Sequence, residues 1–210
     1  MKKTIQFLLF AISIILIASC ANTRKAVQSG PLQPSILSRK EWNAAPAILP
    51  MQAHTPRYIT IHHTATLQKP DRTLPDKLKS LQQFSQREDK LSSGKVKPPW
   101  PDVPYHYYVD CKGNIGEGRE IKYVGDTNTE YDPTGHILIV LEGNFENEQP
   151  TPEQLAALHR LVAWLSYHWH IPAAQIKGHQ DYAKTLCPGS HLGTLLPELR
   201  KSIAVRQRTS

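Results

Sequence analysis

The chain has 210 residues, of which 40% are hydrophobic, 20% charged and 8% aromatic, which excludes a collagen-like or mostly disordered protein and predicts one globular domain. Twenty-five Lys and Arg residues against 18 Asp and Glu residues give a formal charge of +7, which favours an acidic polymer or an anionic surface as a partner. Three cysteines allow at most one intramolecular disulfide, so a dense disulfide framework is excluded.

The first twenty residues resemble an export signal. Two lysines precede an apolar run over residues 7–18, which is too short to span a membrane and has the length of a signal-peptide core. The run ends in Leu-Ile-Ala-Ser-Cys at residues 16–20, which resembles the lipobox of bacterial lipoproteins. We therefore expect residues 1–19 to be a lipoprotein signal peptide and Cys20 to be lipidated. An ordinary signal peptide and an uncleaved anchor remain open as alternatives.

The same resemblance predicts the cellular location of the mature protein. Ala21 follows the cysteine where Asp would favour the inner membrane, so we expect an outer-membrane lipoprotein that faces the periplasm. Acyl chains would hold it there without a transmembrane segment. Cleavage removes two lysines, and the remaining charge of 7 − 2 = +5 gives little support for nucleic-acid binding. Residues 20–35 are small and polar, with two prolines, which is typical of a flexible tether.

The rest of the chain alternates between predicted strands and helices. In chain order these are a short helix opened by a capping box at 38–41, a strand at 58–62, a helix at 76–86, a proline-rich loop at 88–104, strands at 105–110, 114–117 and 137–141, and a helix from 152 that ends before Pro172. Thr151 and Gln154 form a second capping box, with Pro152 at the first helical position. We expect an α/β fold: a single domain over residues 36–205 with a mixed central β-sheet flanked by helices.

Three side chains have the chemistry of a zinc site. His62 ends the strand at 58–62, while His179 and Cys187 lie eight residues apart near the C-terminus. Imidazole nitrogen and thiolate are zinc ligands, and a catalytic site uses three protein ligands, which leaves the fourth position for water. The alternative is a core hydrogen bond for His62 and a disulfide between Cys187 and Cys111. Spacing alone does not decide between the two.

Five segments, in this order, resemble one known family. They are Ser-Arg-Lys-Glu-Trp at 38–42, Ile-His-His-Thr-Ala at 61–65, Val-Pro-Tyr-His-Tyr-Tyr-Val at 103–109, Leu-Glu-Gly-Asn-Phe at 141–145, and Gly-His at 178–179 through Cys-Pro-Gly at 187–189. The family is that of the zinc-dependent N-acetylmuramoyl-L-alanine amidases, which share a fold with phage lysozyme-type amidases and peptidoglycan recognition proteins. The resemblance covers most of residues 36–200.

The resemblance implies roles for particular residues. It makes His62, His179 and Cys187 the ligands of one Zn²⁺ per chain, whereas His63 points to the opposite face of its strand. Tyr105 falls where related proteins carry a tyrosine near the metal, and it is expected to orient the water or donate to the oxyanion. Thr185, two residues before the last ligand, is expected to be a second donor.

Other positions are assigned to the substrate or to the sheet. Val140 occupies the position where the cytosolic recycling branch of the family has a catalytic glutamate, so that base is absent here. Glu142, two residues along the same strand, either faces the site or has a structural role. Trp100 either stacks on a sugar ring or packs its loop onto the domain. Basic residues near the cleft would help to dock stem-peptide carboxylates, although solvated surface charges are expected for most of them; the candidates are Lys95, Lys97, Arg119 and Lys122.

The implied activity is hydrolysis of the amide between N-acetylmuramic acid and the L-alanine of the peptidoglycan stem peptide. Zinc would polarise the carbonyl and lower the pKa of its bound water towards 7. The main alternative is a non-catalytic module of the same fold that binds muropeptides, and the presence of both Cys187 and Tyr105 favours the enzyme. A third reading, a structural lipoprotein, predicts no zinc. The expected partners are peptidoglycan or muropeptides, and a membrane through the N-terminal lipid, but no nucleic acid.

Overall fold

The computed structural model describes residues 30–91 and 94–209. The expected signal peptide, Cys20 and residues 20–29 of the expected tether lie outside these ranges. Within them, no helix is both long enough and apolar enough to cross a membrane.

The described chain forms eight strands, four α-helices and two short 3₁₀ turns. In chain order the elements are β1 (Ile36–Leu37), β2 (Tyr58–His63), α1 (Leu74–Ser85), β3 (Asp89–Lys90), β4 (Val96–Lys97), β5 (Tyr107–Val109), β6 (Ile115–Glu117), β7 (His136–Leu141), α2 (Pro152–His168), a 3₁₀ turn (Ala173–Gln175), β8 (Ile176–Gly178), a second 3₁₀ turn (His179–Asp181), α3 (Ser190–Gly193) and α4 (Leu196–Thr209).

Six of these strands form one mixed sheet in the order β1-β6-β5-β7-β2-β8. The pairs β1/β6, β5/β7, β7/β2 and β2/β8 are parallel, and β5/β6 is antiparallel. The neighbouring inner strands β2 and β7 are almost wholly buried, as expected for strands covered on both faces. The mixed sheet flanked by helices confirms the predicted fold class.

Alternation along β2 divides the core into two clusters. Ile59 and Ile61 belong to the larger cluster, which α2 and α4 cover. On the opposite face Val140 of β7 packs with Trp42 and Leu78 under α1. His62 shares this second face because successive side chains on a strand point to opposite sides.

The helix predicted at residues 38–41 is only a turn. The capping contacts are present, since the Ser38 N–H donates to Glu41 at 2.7 Å and the Glu41 N–H donates to the Ser38 hydroxyl at 3.3 Å. Asn43, however, adopts a left-handed conformation with φ of 56°, which stops the helix after one turn. The predicted loop at 88–104 likewise contains the small ribbon of β3 and β4.

Candidate metal centre

The two histidines come together because they follow adjacent parallel strands. In the β2/β8 pair, Ile61 lies opposite Gly178, and each is followed immediately by a histidine. The carboxyl ends of parallel strands lie at the same edge of a sheet, so the His62 and His179 rings become neighbours, with centroids 4.6 Å apart. The sheet itself therefore positions two of the three expected ligands.

Cys187 completes the group. Its Sγ lies 3.6 Å from Nδ1 of His62, and the ligand atoms of His62, His179 and Cys187 all lie within 4.8 Å of one another. Tetrahedral zinc, with Zn–S of about 2.3 Å and Zn–N of about 2.05 Å, separates sulfur and nitrogen by about 3.6 Å. The donor set and its spacing therefore fit zinc.

The alternative reading of these residues does not hold. Cys111 and Cys187 are both free thiols, so they form no disulfide. Nε2 of His62 is buried without a hydrogen-bond partner among the described residues, and its Nδ1 faces the Cys187 sulfur. Buried core histidines normally satisfy their ring nitrogens within the protein, so His62 has the surroundings of a ligand.

The cysteine is held by its own loop and by β2. The His63 N–H donates to Cys187 Sγ at 3.4 Å, and the Cys187 N–H donates to the Thr185 hydroxyl at 3.2 Å. Gly189 has φ of 92°, and a Cβ added there would lie 2.6 Å from the Phe145 backbone. Glycine thus permits the close approach that brings the cysteine loop against the end of β7.

His179 is oriented from outside the metal group. Thr129 Oγ1 lies 2.7 Å from Nε2 of His179, and the Thr127 and Thr129 hydroxyls lie 2.8 Å apart. The Tyr131 ring packs against the His179 ring with centroids 5.2 Å apart. A hydrogen bond on Nε2 leaves Nδ1 for a metal. Sequence reasoning missed this loop, because no motif links Thr129 to a histidine fifty residues later.

Burial keeps the two histidines neutral. It lowers the pKa of His179 to about 4 and, together with the proximity of the His179 imidazole, lowers the pKa of His62 well below its usual range. Burial also raises the pKa of the Cys187 thiol to about 12. A cation bound at Sγ favours the thiolate form of Cys187. A divalent metal would therefore supply the positive charge that the neutral histidines of this site do not.

Tyr105 and Thr185 lie beside this group. The Tyr105 ring is 5.2 Å from the His62 ring, and burial, reinforced by the nearby Cys187 side chain, raises the pKa of its phenol above the usual range. A phenol with a raised pKa is protonated at neutral pH and can donate a hydrogen bond. Thr185 is half-buried, and its hydroxyl accepts from the Cys187 N–H.

A cleft of about 640 Å³ contains Tyr105 in its wall and reaches the metal group through this residue, whose ring lies 5.2 Å from the His62 ring. Trp100 and Glu142 both line this cleft. The backbone N–H of Trp100 donates to the Ser85 carbonyl at 2.9 Å, which fixes its loop onto α1. The Glu142 carboxylate is bound by Lys77 at 2.7 Å, which gives this residue the structural role that the sequence left open.

Two of the basic residues considered for docking of the stem peptide, Lys97 and Arg119, do not line the cleft. Lys97 is fully buried, with its Nζ donating to three backbone carbonyls and 4.6 Å from the centre of the Trp100 ring. Arg119 is buried as well, and it donates to backbone carbonyls and pairs with Asp126. Neither is a solvated surface charge, because backbone oxygens compensate each of them.

Comparison with known proteins identifies a family and a shared fold. The family model for N-acetylmuramoyl-L-alanine amidase matches residues 52–190. Peptidoglycan recognition protein 1 of Mus musculus is 31% identical over 162 residues, covering 75% of this chain and 83% of the mouse protein. The crystal structure of Drosophila peptidoglycan recognition protein SD superposes with a TM-score of 0.66 at 27% identity, covering 79% of this chain and 95% of that one. The N-acetylmuramoyl-L-alanine amidase LysC from Clostridium intestinale shares the fold, with a TM-score of 0.64 at 24% identity over 81% of this chain and 98% of that one.

Proposed function

The chain belongs to the N-acetylmuramoyl-L-alanine amidase family, and from this we propose that it hydrolyses the amide between N-acetylmuramic acid and L-alanine in peptidoglycan, using one zinc ion per chain. The observation that carries the proposal is the approach of His62, His179 and Cys187 to within 4.8 Å beside the cleft. Two imidazoles and one thiolate leave a fourth zinc position open, as a catalytic site requires.

The chain's own residues provide the hydrogen-bond donors and the binding surface for hydrolysis. When bound, zinc would act as a Lewis acid that polarises a carbonyl and lowers the pKa of its bound water. The Tyr105 phenol, protonated because burial raises its pKa, donates to the oxyanion that forms at the scissile carbonyl. Thr185 supports the cysteine loop and offers a second hydroxyl beside the ligand. The cleft wall holds the peptide and excludes bulk water.

A muropeptide-binding module without hydrolysis is the second candidate. The names of the mouse and Drosophila relatives, which are recognition proteins, favour it. The complete His-His-Cys donor set with an adjacent tyrosine favours the enzyme, since binding a peptide needs neither a zinc ligand set nor an oxyanion donor.

One experiment separates the two. The full-length chain, purified in detergent, is incubated with muropeptides, and the release of free L-alanine amino groups is measured with a chelator and after zinc is added back. Chelator-sensitive release that zinc restores supports the amidase. Stable zinc and muropeptide binding without release would establish the binding module instead.

We also propose the cellular position. Residues 1–19 act as a lipoprotein signal peptide and Cys20 carries the lipid, which anchors the domain at the outer membrane on the periplasmic side. Mass spectrometry of the N-terminal peptide tests this, with a Cys20→Ser variant as the control. An intact Met1 or an unmodified Cys20 in the membrane fraction would contradict it.

A further inference from the structure

The described chain enters the domain on the face of the sheet opposite to the cleft. Gly30 lies so close to the Tyr167 ring, at the end of α2, that an added Cβ would overlap it, and Pro31 lines a small cavity with residues of α2 and α4. These two helices cover the larger core cluster, whereas α1, which lines the cleft, covers the other. We propose that this entry surface, formed by the exposed side chains of residues 30–32, 167–168 and 201–208, docks on a bilayer that contains anionic phospholipid.

This inference rests on the proposed N-terminal anchor. Gly30 follows the candidate lipidation site, Cys20, by ten positions, and ten residues span about 35 Å at full extension. A domain of this size has a diameter of about 40 Å. An anchor at Cys20, or in the apolar run before it, therefore keeps the entry surface within about 35 Å of the bilayer, whereas the far side of the domain can lie beyond that reach.

The entry surface is positively charged. The glutamates of α2 and α4 lie in the first turns of the two helices, whereas α4 ends in the exposed Arg206 and Arg208. The C-terminal ends of the helices meet, since Nε2 of Gln207 donates to the Ser166 hydroxyl at 2.7 Å and to the Ile171 carbonyl at 2.8 Å. The basic end of α4 therefore lies beside the end of α2 and beside the point where the chain enters the domain.

Exposed apolar side chains accompany these charges. Leu32 is 87% exposed, Val205 49% and Tyr167 45%. Val205 shares a face of α4 with Arg208 by helical spacing, and Tyr167 lines the same cavity as Arg206. A surface that combines a tyrosine and aliphatic side chains with arginines has the composition of a protein face that lies on an anionic bilayer, where the rings enter the headgroup region and the charges attract the phosphates.

Docking through the entry surface leaves the cleft open. The metal group lies at the C-terminal edge of β2 and β8, and the cleft opens on the side of the sheet that α1 covers. A bilayer against the ends of α2 and α4 covers neither of them. The bilayer would thus orient the domain with its cleft towards a polymer that lies away from the membrane.

Tryptophan fluorescence with brominated phospholipids tests the docking. The full-length chain is reconstituted in vesicles of equal parts phosphatidylcholine and phosphatidylglycerol, whose brominated acyl chains quench a tryptophan that reaches the bilayer. Tyr167→Trp should add quenched emission to that of the unmodified chain, and Val205→Trp should do the same from α4. Leu67→Trp is the control, since Leu67 is exposed between Thr66 and Lys69 of the cleft wall, and its added emission should not be quenched.

Salt and matched substitutions test the role of the charges. Arg206→Gln with Arg208→Gln should lower the ratio of docked to undocked protein about twenty-fivefold, because each basic residue near an anionic bilayer contributes about fivefold. Arg87→Gln with Lys90→Gln removes the same charge from exposed positions just after α1 and should leave the ratio unchanged. High salt should relieve the quenching at position 167, while the anchored protein still floats with the vesicles.

The outcomes separate docking from the anchor and from the amidase. Equal quenching at positions 167, 205 and 67, no quenching at any of them, or unchanged quenching in the Arg206→Gln and Arg208→Gln variant would overturn the docking. A dimer in detergent that Tyr167→Trp disrupts would assign the entry surface to a second copy of the chain instead. Lipid found on Cys20 by mass spectrometry, without quenching at positions 167 and 205, would uphold the anchor and remove only the docking. Peptide release is measured independently of both.

Discussion

The Thr129 hydroxyl lies 2.7 Å from Nε2 of His179 and so determines which ring nitrogen of that histidine remains for a metal. Outer hydrogen bonds of this kind fix the tautomer and the ring orientation of a ligating histidine. In this chain the bond comes from the loop between β6 and β7, and the Thr127 hydroxyl continues it.

Thr129→Val should therefore weaken zinc binding about tenfold or more, which is the range for loss of such a contact. Valine keeps the shape of threonine but cannot bond Nε2. Thr129→Ser keeps the hydroxyl and should stay near the unmodified affinity. Competition with a chromogenic chelator measures the affinity, and NMR of the His179 ring nitrogens reports the tautomer. Equal affinities for the two variants would rule out the orienting role.

Replacement of the cysteine ligand should remove the metal. Cys187→Ala takes away one of three donors, so we expect zinc content close to zero after dialysis and no chelator-sensitive peptide release. Cys111→Ala is the matched control, since Cys111 is also a free thiol but lies outside the group. Atomic absorption gives the zinc content, and full retention of zinc in Cys187→Ala would contradict the assignment.

Tyr105→Phe should slow peptide release about a hundredfold, the usual cost of losing one oxyanion donor. The aromatic ring remains beside His62, so zinc content and folding should be unchanged. The variant is assayed at saturating substrate next to Tyr108→Phe, a buried tyrosine that also lines the cleft. A release rate equal to that of the unmodified chain, with zinc bound, would remove Tyr105 from the mechanism.

Acid should destabilise the fold through His106. Its Nδ1 accepts the Leu138 N–H and its Nε2 lies 2.8 Å from the Tyr123 carbonyl, so the ring is neutral in the folded state. Burial lowers the pKa of His106 to about 3, below the unfolded value of about 6.5. The unfolded state therefore binds the proton more readily, and the stabilisation, complete above pH 6.5, is lost as the pH falls towards 3.

The expected slope from this histidine alone approaches about 1.4 kcal/mol of unfolding free energy per pH unit below pH 6, and it is about half as steep between pH 7 and 6. Urea unfolding of the zinc-free protein at pH 7, 6 and 5 measures it. His136 contributes in the same direction, because burial lowers the pKa of that ring to about 4. His106→Gln should flatten the curve, and an unchanged slope in that variant would refute the assignment.

Substitutions of Lys77 and Glu142, which form a buried ion pair, should have strongly non-additive effects on the free energy of unfolding. Both side chains are buried, and Lys77→Met leaves the carboxylate without its cation, which should lower the unfolding free energy by about 3 kcal/mol. Adding Glu142→Gln removes the buried charge and should recover part of that loss. Additive losses in the double variant, measured by urea unfolding, would show that the two groups do not interact.

Some structural elements could be predicted because the residues within them determine their conformation. The capping box of Thr151 and Gln154 predicts the start of α2, and the structure shows both of its hydrogen bonds. The β-branched run at 58–62 predicted β2 to within one residue. The family pattern of their segments predicted that His62, His179 and Cys187 form one group. The sheet places the two histidines side by side, and the loop after β8 brings Cys187 to them.

Other features depend on contacts between distant segments. Lys97 was expected on the surface, yet three carbonyls of its surroundings compensate it inside the domain. β8 has three residues, too few for periodicity to reveal, although it positions His179. Thr129 becomes meaningful only when the folded chain brings it to His179.

The pairing of β2 with β8 also has a consequence for how zinc would control the proposed activity. Two of the three ligands are held by backbone pairing and not by the metal, so the domain should keep its fold when zinc is removed, unlike small zinc-dependent modules. Zinc supply would then govern activity reversibly in a chain that is already folded. With the proposed function, the zinc-free domain would remain inactive, and zinc loading would require no refolding.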